Sequence, residues 1–187
     1  MYITQTVAPI NEVVTLAEAK LFAIIDIDDD DAVIQGLIES CVAYTQNFTN
    51  RQLLNATFEL YNDSFTQDMI IPKGNLDSII KVEYMDQDGS YQELSTDDYY
   101  SFGDNDIFKI HFDKTPTHKQ NKNAVKITFI SGYGSLSTDV PSGIKIWIKM
   151  KVKDLYEHRD MFEDFSKFVM PYSHIDVMLN MYRIQSV

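Results

Sequence analysis

The sequence predicts an α+β fold in which helices flank a central antiparallel β region. Apolar residues recur at helical spacing over residues 30–48 and again over 144–156. Between them, residues 56–134 alternate apolar and polar side chains in short runs separated by turn residues, which is typical of strands. The chain shows no strand–helix alternation of the kind that builds a parallel sheet. The predicted order is therefore two helices, a small antiparallel β excursion, a long helix and a short C-terminal helix.

The two N-terminal helices have clear start signals. Thr15 and Glu18 have the spacing of a capping box, which predicts a helix from about Thr15 to Ile25. A second helix is predicted over Asp30–Phe48, and aspartates fill five of the six positions from 26 to 31 just before it. Carboxylates at a helix start oppose the positive end of the helix dipole, so we interpret this run as a solvated helix start.

The β region is predicted to form one small antiparallel sheet with a wetter face. Asp88-Gly89 lies between two alternating runs and predicts a hairpin turn. The strands are predicted at residues 57–61, 69–71, 79–85, 91–94, 99–102, 107–112 and 125–130.

The C-terminal part is predicted to return to helix. Pro141 suits the first helical position, where its missing N–H costs nothing, and the helix should run to about His158 with Trp147 on its apolar stripe. A shorter helix from about Pro171 to Tyr182 is expected to pack back on the N-terminal pair. We expect one domain over residues 1–187, with a helical core at about 13–55 and 140–182 and the β excursion at about 56–134.

The charge of the chain limits its partners. A formal net charge of -12 argues against binding to a phosphate backbone, which needs a lysine and arginine footprint. The net charge is -7 over residues 1–50, -6 over 51–140 and +1 over 141–187. An acidic body with a mildly basic end suits head-to-tail contact between copies, and chance surface variation explains it equally well.

The cellular compartment is predicted from the single cysteine and from the lack of a membrane span or secretion signal. The single cysteine, Cys41, has no partner for an intramolecular disulfide, which favours a reduced site of synthesis. No apolar stretch approaches the length of a bilayer span, and the first residues do not have the pattern of a secretion signal. We therefore expect a protein that is neither exported nor inserted in a membrane.

No motif in the sequence predicts catalysis, a metal site or a cofactor. The aspartates at 28–31 are not spaced as a calcium loop, which needs a glycine at its turn and a closing glutamate. His158-Arg159-Asp160 lacks every companion motif of a kinase, and Gly132-Tyr133-Gly134 lacks the continuation of a phosphate-binding loop. The four histidines show no paired metal spacing. The expected class is a protein that is not an enzyme.

A series of short segments nevertheless follows a familiar order along the chain. These are Val14–Lys20, Ile25-Asp26, Ala43–Thr45, Asn50–Leu54, Phe58–Tyr61, Ile71-Pro72, Ile79–Tyr84, Asp88-Gly89, Tyr99-Tyr100, Val125–Gly134, Val140–Lys145 and Leu155–Asp160. The ordered set resembles the head–tail connector family of tailed bacteriophages and prophages, also called the adaptor or head-completion family. The resemblance covers about residues 13–182 and depends on the order rather than on any one motif.

The resemblance implies a structural subunit of a ring of around a dozen copies in the virion neck, made in the bacterial host cytoplasm. Such a ring docks on the portal protein and extends the DNA channel toward the tail. The implied partners are further copies of the chain, the portal and the next head-completion or tail component, while DNA passes without specific binding. The family has no catalytic residues to carry over. The alternative left open is an acidic phage-encoded binding or inhibitor protein.

Candidate interface residues lie on the Pro141–His158 helix and beyond it. Lys145, Lys149 and Lys153 line one helical face at four-residue spacing, with Lys151 adjacent. This face is either a solvated surface opposite Trp147 or a stripe that meets acidic surface on a neighbouring copy or faces DNA in a channel. The more aromatic segment that follows adds four candidates for contact with a portal or tail component, namely Arg159, Phe162, Phe165 and Phe168.

Overall fold

The computed structural model describes residues 1–103, 107–158 and 174–184, with side chains described from residue 177 in the last range. The α+β class is confirmed. The chain forms two compact units, each built from two stretches of sequence. The β unit comprises Met1–Ile10 and Gln52–Ser135, and the helical unit comprises Asn11–Arg51 and Leu136–Val187. That the whole chain is a single domain stays a prediction.

The helical unit contains α1 (Leu16–Ala23), α2 (Asp31–Thr49), α3 (Ser142–Glu157) and α4 (His174–Asn180). The predicted capping box is present, since the Glu18 N–H donates to the Thr15 hydroxyl at 3.2 Å and the Thr15 N–H donates to the Glu18 carboxylate at 3.0 Å. α1 is shorter than predicted and ends at Ile24, which adopts the left-handed conformation with φ 60°. The backbone turns there, and Asp31 then starts α2.

The apolar stripes of α2 and α3 are buried as their spacing predicts. Ile34, Ile38 and Cys41 of α2 are buried, and so is the α3 stripe that includes Trp147. The Trp147 ring stacks on Tyr44 with 5.5 Å between centroids. α3 contacts each of the other three helices, and α4 also contacts α2.

The start of α3 differs from the prediction by one position. Pro141 precedes the helix as its N-cap, with an extended ψ of 132°, rather than occupying its first turn. Its carbonyl accepts the Ile144 N–H at 3.0 Å and the Lys145 N–H at 3.3 Å, so it still begins the helical hydrogen bonding. Part of the predicted terminal helix, residues 171–173, lies outside the described residues.

In the part of the β unit that the structure describes, eight strands form two antiparallel sheets, where one sheet was predicted. The larger sheet has the order β1-β2-β8-β4-β5 and the smaller one the order β3-β7-β6. Seven strands match the predicted positions within three residues, and one more lies at the N-terminus. Their bounds are β1 Tyr2–Val7, β2 Ala56–Asn62, β3 Asp68–Ile71, β4 Leu76–Met85, β5 Tyr91–Glu93, β6 Tyr99–Gly103, β7 Phe108–Phe112 and β8 Val125–Ser131.

One apolar cluster explains the two sheets. Phe58, Val82 and Phe129 of the larger sheet share it with Met69 and Ile110 of the smaller sheet, and all five side chains are buried. Each sheet therefore buries one face against the other and leaves its second face wetter. Alternation within each strand predicts that a face is buried, but it does not say which strands belong to the same sheet.

The predicted hairpin is confirmed between β4 and β5. Met85 lies opposite Tyr91, and Gly89 adopts φ 92° in the loop between them. The Asp86 carboxylate accepts the N–H groups of Asp88 and Ser90 at 3.0 and 2.9 Å. Hydrogen bonds from these backbone N–H groups, led by that of Ser90, lower the pKa of Asp86.

Candidate assembly surfaces

The three lysines of α3 lie at four-residue spacing as predicted, and each is engaged within the helical unit. Lys145 donates to the Ser137 carbonyl at 2.9 Å, and Lys149 lies over the Phe22 ring at 5.9 Å from its centroid. Lys153 pairs with Glu157 at 3.6 Å. All three side chains are half-buried. The face is therefore neither fully solvated nor a row of free charges.

Of the remaining interface candidates from the sequence, the structure describes only Lys151. Lys151, beside the stripe, pairs with Asp154 at 3.2 Å. Arg159, Phe162, Phe165 and Phe168 lie outside the described residues.

The acidic run before α2 has two roles that differ from a simple cap. Lys20 of α1 lies between Asp28 and Asp31, at 2.6 Å from each carboxylate. Hydrogen bonding to Asp28, and then to Asp31, raises the pKa of Lys20, and the same contact lowers the pKa of Asp28. Asp30 is the N-cap residue but makes no side-chain cap; its carboxylate accepts the Tyr156 hydroxyl at 2.6 Å instead. The run thus connects α1, α2 and α3.

Exposed apolar side chains follow Lys20 in the sequence. Leu21 is 82% exposed, Ile24 80% and Ile27 53%. Ile24 combines this exposure with left-handed backbone, which is unfavourable for a β-branched residue. Leu21 lies on α1, and Ile24 and Ile27 lie in the connection to α2.

The β unit presents one surface that sequence reasoning missed. β1 forms the edge of the larger sheet, and five of its six residues are exposed. Its composition, Tyr-Ile-Thr-Gln-Thr-Val, is rich in aromatic and β-branched residues, and this signal could have predicted a strand. Its pairing with β2, which places Tyr2 opposite Tyr61, is the part that no local pattern encodes.

In the described residues, the histidine, cysteine and carboxylate side chains that could support catalysis or metal binding do not form one cluster. His111 contacts Asp68 at 2.6 Å, and His158 lies 3.3 Å from Asp154. Within residues 1–103, 107–158 and 174–184, His, Cys, Asp and Glu form no group of three or more suited to hold a metal ion. Burial raises the pKa of the Cys41 thiol to about 11, so this cysteine is not poised as a nucleophile. Over the same part of the chain, no helix is both long and apolar enough to cross a membrane.

Comparison with known proteins identifies relatives by sequence family and by fold. The family described as "Phage gp6-like head-tail connector protein" matches residues 13–114, more than half of the chain. No curated protein matches the sequence.

Solved structures match the fold over the full chain. A chain in the neck of an empty gene transfer agent (GTA) particle, computed with C6 symmetry, superposes with a TM-score of 0.81 at 16% identity. A chain in the virion of a native gene transfer agent gives 0.82, and one in a native GTA neck computed with C12 symmetry gives 0.77, both also at 16% identity. Each comparison covers 100% of this chain and 97% of the other.

Proposed function

Because the chain belongs to the phage gp6-like head-tail connector family, we propose that it is a ring subunit of a virion neck that docks on the portal and extends the DNA channel toward the tail. The observation that carries this proposal is the family match over residues 13–114. The proposed role is structural, and it requires no catalytic group.

The fold supports the proposed position in the neck. Three structures that share this fold over 97% of their own chains come from gene transfer agent particles, two of them described as necks with C6 or C12 symmetry. A cyclic arrangement uses two different surfaces of each subunit, one for each neighbour, and closes when the rotation between subunits divides a full turn. We infer that this chain closes into a ring in that way, with around a dozen copies.

The charge supports a channel that DNA passes without binding. At a net charge of -12 the chain repels a polyanion, so an acidic lining keeps DNA from adhering during transit. The alternative of an acidic inhibitor that imitates DNA has less support, because it needs a continuous face of free carboxylates. Asp28 and Asp31 instead bind Lys20, and Asp86 binds backbone N–H groups of its own turn.

The α3 lysine face, with Arg159, Phe162, Phe165 and Phe168, is the proposed contact between subunits or with the portal. The positive charges of α3 would meet an acidic surface of the neighbouring copy. Reversing Lys145, Lys149 and Lys153 to Glu also removes their contacts with Ser137, Phe22 and Glu157, so the monomer should lose some stability but keep its helical circular dichroism, while ring formation should weaken. The matched control reverses Lys114, Lys119 and Lys122 of the β unit, which changes the net charge by the same amount. Equal effects of the two triple variants would assign the loss to net charge and refute the contact.

The function itself is tested by assembly. Size-exclusion chromatography with light scattering, on the purified chain alone and with the portal protein of the same phage, should show a large ring complex in the mixture. Electron microscopy of that complex should place the ring on the portal, coaxial with its channel. A chain that stays monomeric and never binds the portal would contradict the proposal; a chain that is monomeric only when alone would not, since subunits of this kind can order on docking.

A further inference from the structure

The outer edge of β1 is an unprotected strand edge. β1 lies at the end of the larger sheet, and no backbone hydrogen bond joins its outer side to another part of the described chain. A strand edge of this kind presents a row of unpaired N–H and C=O groups, which proteins usually protect with lysine, proline or a short strand. β1 has six residues, no charged side chain and no proline, and its single register shift lies between Gln5 and Val7, so Tyr2–Gln5 forms a regular edge. It is therefore suited to receive another strand.

The opposite side of the same sheet also has an open stretch. β5 is only three residues long and pairs with β4 opposite Glu83–Met85. The Leu94 N–H extends this contact to the Val82 carbonyl at 2.8 Å. Leu76–Lys81 of β4 therefore has a strand partner on one side only within the described residues, namely β8. This open stretch has six residues, as β1 does, and its pairing with β8 shifts register between Leu76 and Ser78 and again between Ile79 and Lys81.

The occupant that fits both edges is a second copy of the chain. Each copy carries both edges at opposite ends of one sheet, so pairing β1 of one copy with Leu76–Lys81 of the next is a head-to-tail contact that can repeat around a ring. The charges of the two edges are also compatible with this contact. Residues 1–11 contain no charged side chain, and Leu76–Lys81 contains one acid and one base, so this contact brings no like charges together in a chain of net charge -12.

We propose that β1 pairs with the Leu76–Lys81 edge of β4 in the neighbouring subunit and so joins the larger sheets of adjacent copies. This inference deepens the proposed function and depends on it, since it needs a second copy in the assembly. Main-chain hydrogen bonds hold the contact, as in other cases of strand addition, and the alternate side chains set its register.

Lysines on β1 test the contact directly. Thr4 and Gln5 are exposed and point to opposite faces of the sheet, so Thr4→Lys with Gln5→Lys places a charge on each face of the edge. The double variant should weaken association by about tenfold or more. It also reduces the net charge from -12, which by itself favours association, so a loss of assembly cannot come from overall repulsion. The control is Ser101→Lys on β6, an exposed edge strand of the smaller sheet, which should assemble normally.

Hydrogen–deuterium exchange of the assembled and free protein identifies both partners. Among residues 2–7 and 76–81, the amides whose N–H groups point away from β2 and β8 should exchange at least about tenfold more slowly in the assembly. Protection of β1 without protection of 76–81 would refute the pairing of β1 with the β4 edge, and unchanged exchange of β1 in a genuine ring would refute any pairing of β1 while leaving the proposed function intact. A chain that never assembles, even with its portal, would contradict both.

Discussion

The glycine at position 132 offers the sharpest test of how the β unit is held together. Gly132 follows β8, and its N–H donates to the Asn75 carbonyl at 2.8 Å. Its neighbours pair with the chain that precedes β2, because the Tyr133 N–H donates to the Leu53 carbonyl and the Asn55 N–H donates to the Gly134 carbonyl. A Cβ on residue 132 would lie 2.4 Å from the Asn55 nitrogen and 2.6 Å from the Leu54 carbonyl carbon.

The cost of Gly132→Ala follows from these contacts. A third atom, the side-chain Oδ1 of Asn55, would lie at 2.5 Å, but rotation of that side chain leaves the two backbone clashes in place, and overpacking of this kind costs about 1–3 kcal/mol. The φ of +156° adds conformational strain for any L side chain, about another 1 kcal/mol or more. We therefore expect the free energy of unfolding of the β unit to fall by about 3 kcal/mol.

The matched control is the same substitution at Gly36. This glycine lies within α2, and a Cβ there would meet nothing within 4 Å. Because alanine has the higher helix propensity, Gly36→Ala should raise stability by about 0.5–1 kcal/mol. Urea unfolding followed by circular dichroism and tyrosine fluorescence measures both variants. A loss below about 1 kcal/mol for Gly132→Ala would show that the backbone at this turn can yield, contrary to the packing described.

Three further outcomes are expected. Because burial raises the pKa of Cys41 to about 11, the thiol should react slowly with a disulfide reagent at pH 8 in the folded chain. The reaction rate should increase as urea unfolds the helical unit. A fast reaction in the native chain would contradict the burial of Cys41. Burial opposes ionisation of Glu83, but ion pairs with Lys126 at 2.7 Å and Lys81 at 3.0 Å outweigh it and lower its pKa. Its contribution to stability is thus present above the unfolded pKa of about 4.3 and is lost as pH falls through the folded value, so Glu83→Gln should flatten the fall of the urea midpoint below about pH 4.5. Ile24→Asn should raise the free energy of unfolding by about 1 kcal/mol, since asparagine tolerates left-handed backbone better, and an unchanged midpoint would count against strain at that residue.

Local patterns predicted most elements, because their signals lie within a few residues of one another. The capping box at Thr15 starts α1, and the spacing of Ile144, Trp147 and Ile148 buries one face of α3. Seven of the eight described strands were predicted from alternation and turn residues, including the hairpin at Asp88-Gly89. The α+β class followed from these elements in order.

The candidate surfaces were less accessible to local reasoning. The four-residue spacing of the α3 lysines was readable, but their partners were not, because Ser137 and Phe22 come from other elements. Asp30 was interpreted as part of a solvated helix start, yet its carboxylate accepts a hydrogen bond from Tyr156, more than 120 residues away. These contacts join residues that are distant in the sequence and form only when the helices pack together.

Residue periodicity and capping chemistry are local properties, so the kinds of element and their order were predictable from sequence alone, and the order of short segments indicated the family. The tertiary structure decided how the strands divide into two sheets and that residues 2–7 join β2 as an edge. Strand partners are selected by burial of a shared apolar cluster among distant segments, and no short window of sequence records that choice. The open edges of the larger sheet, and with them the proposed contact between subunits, are visible only once the tertiary pairing of the strands is known.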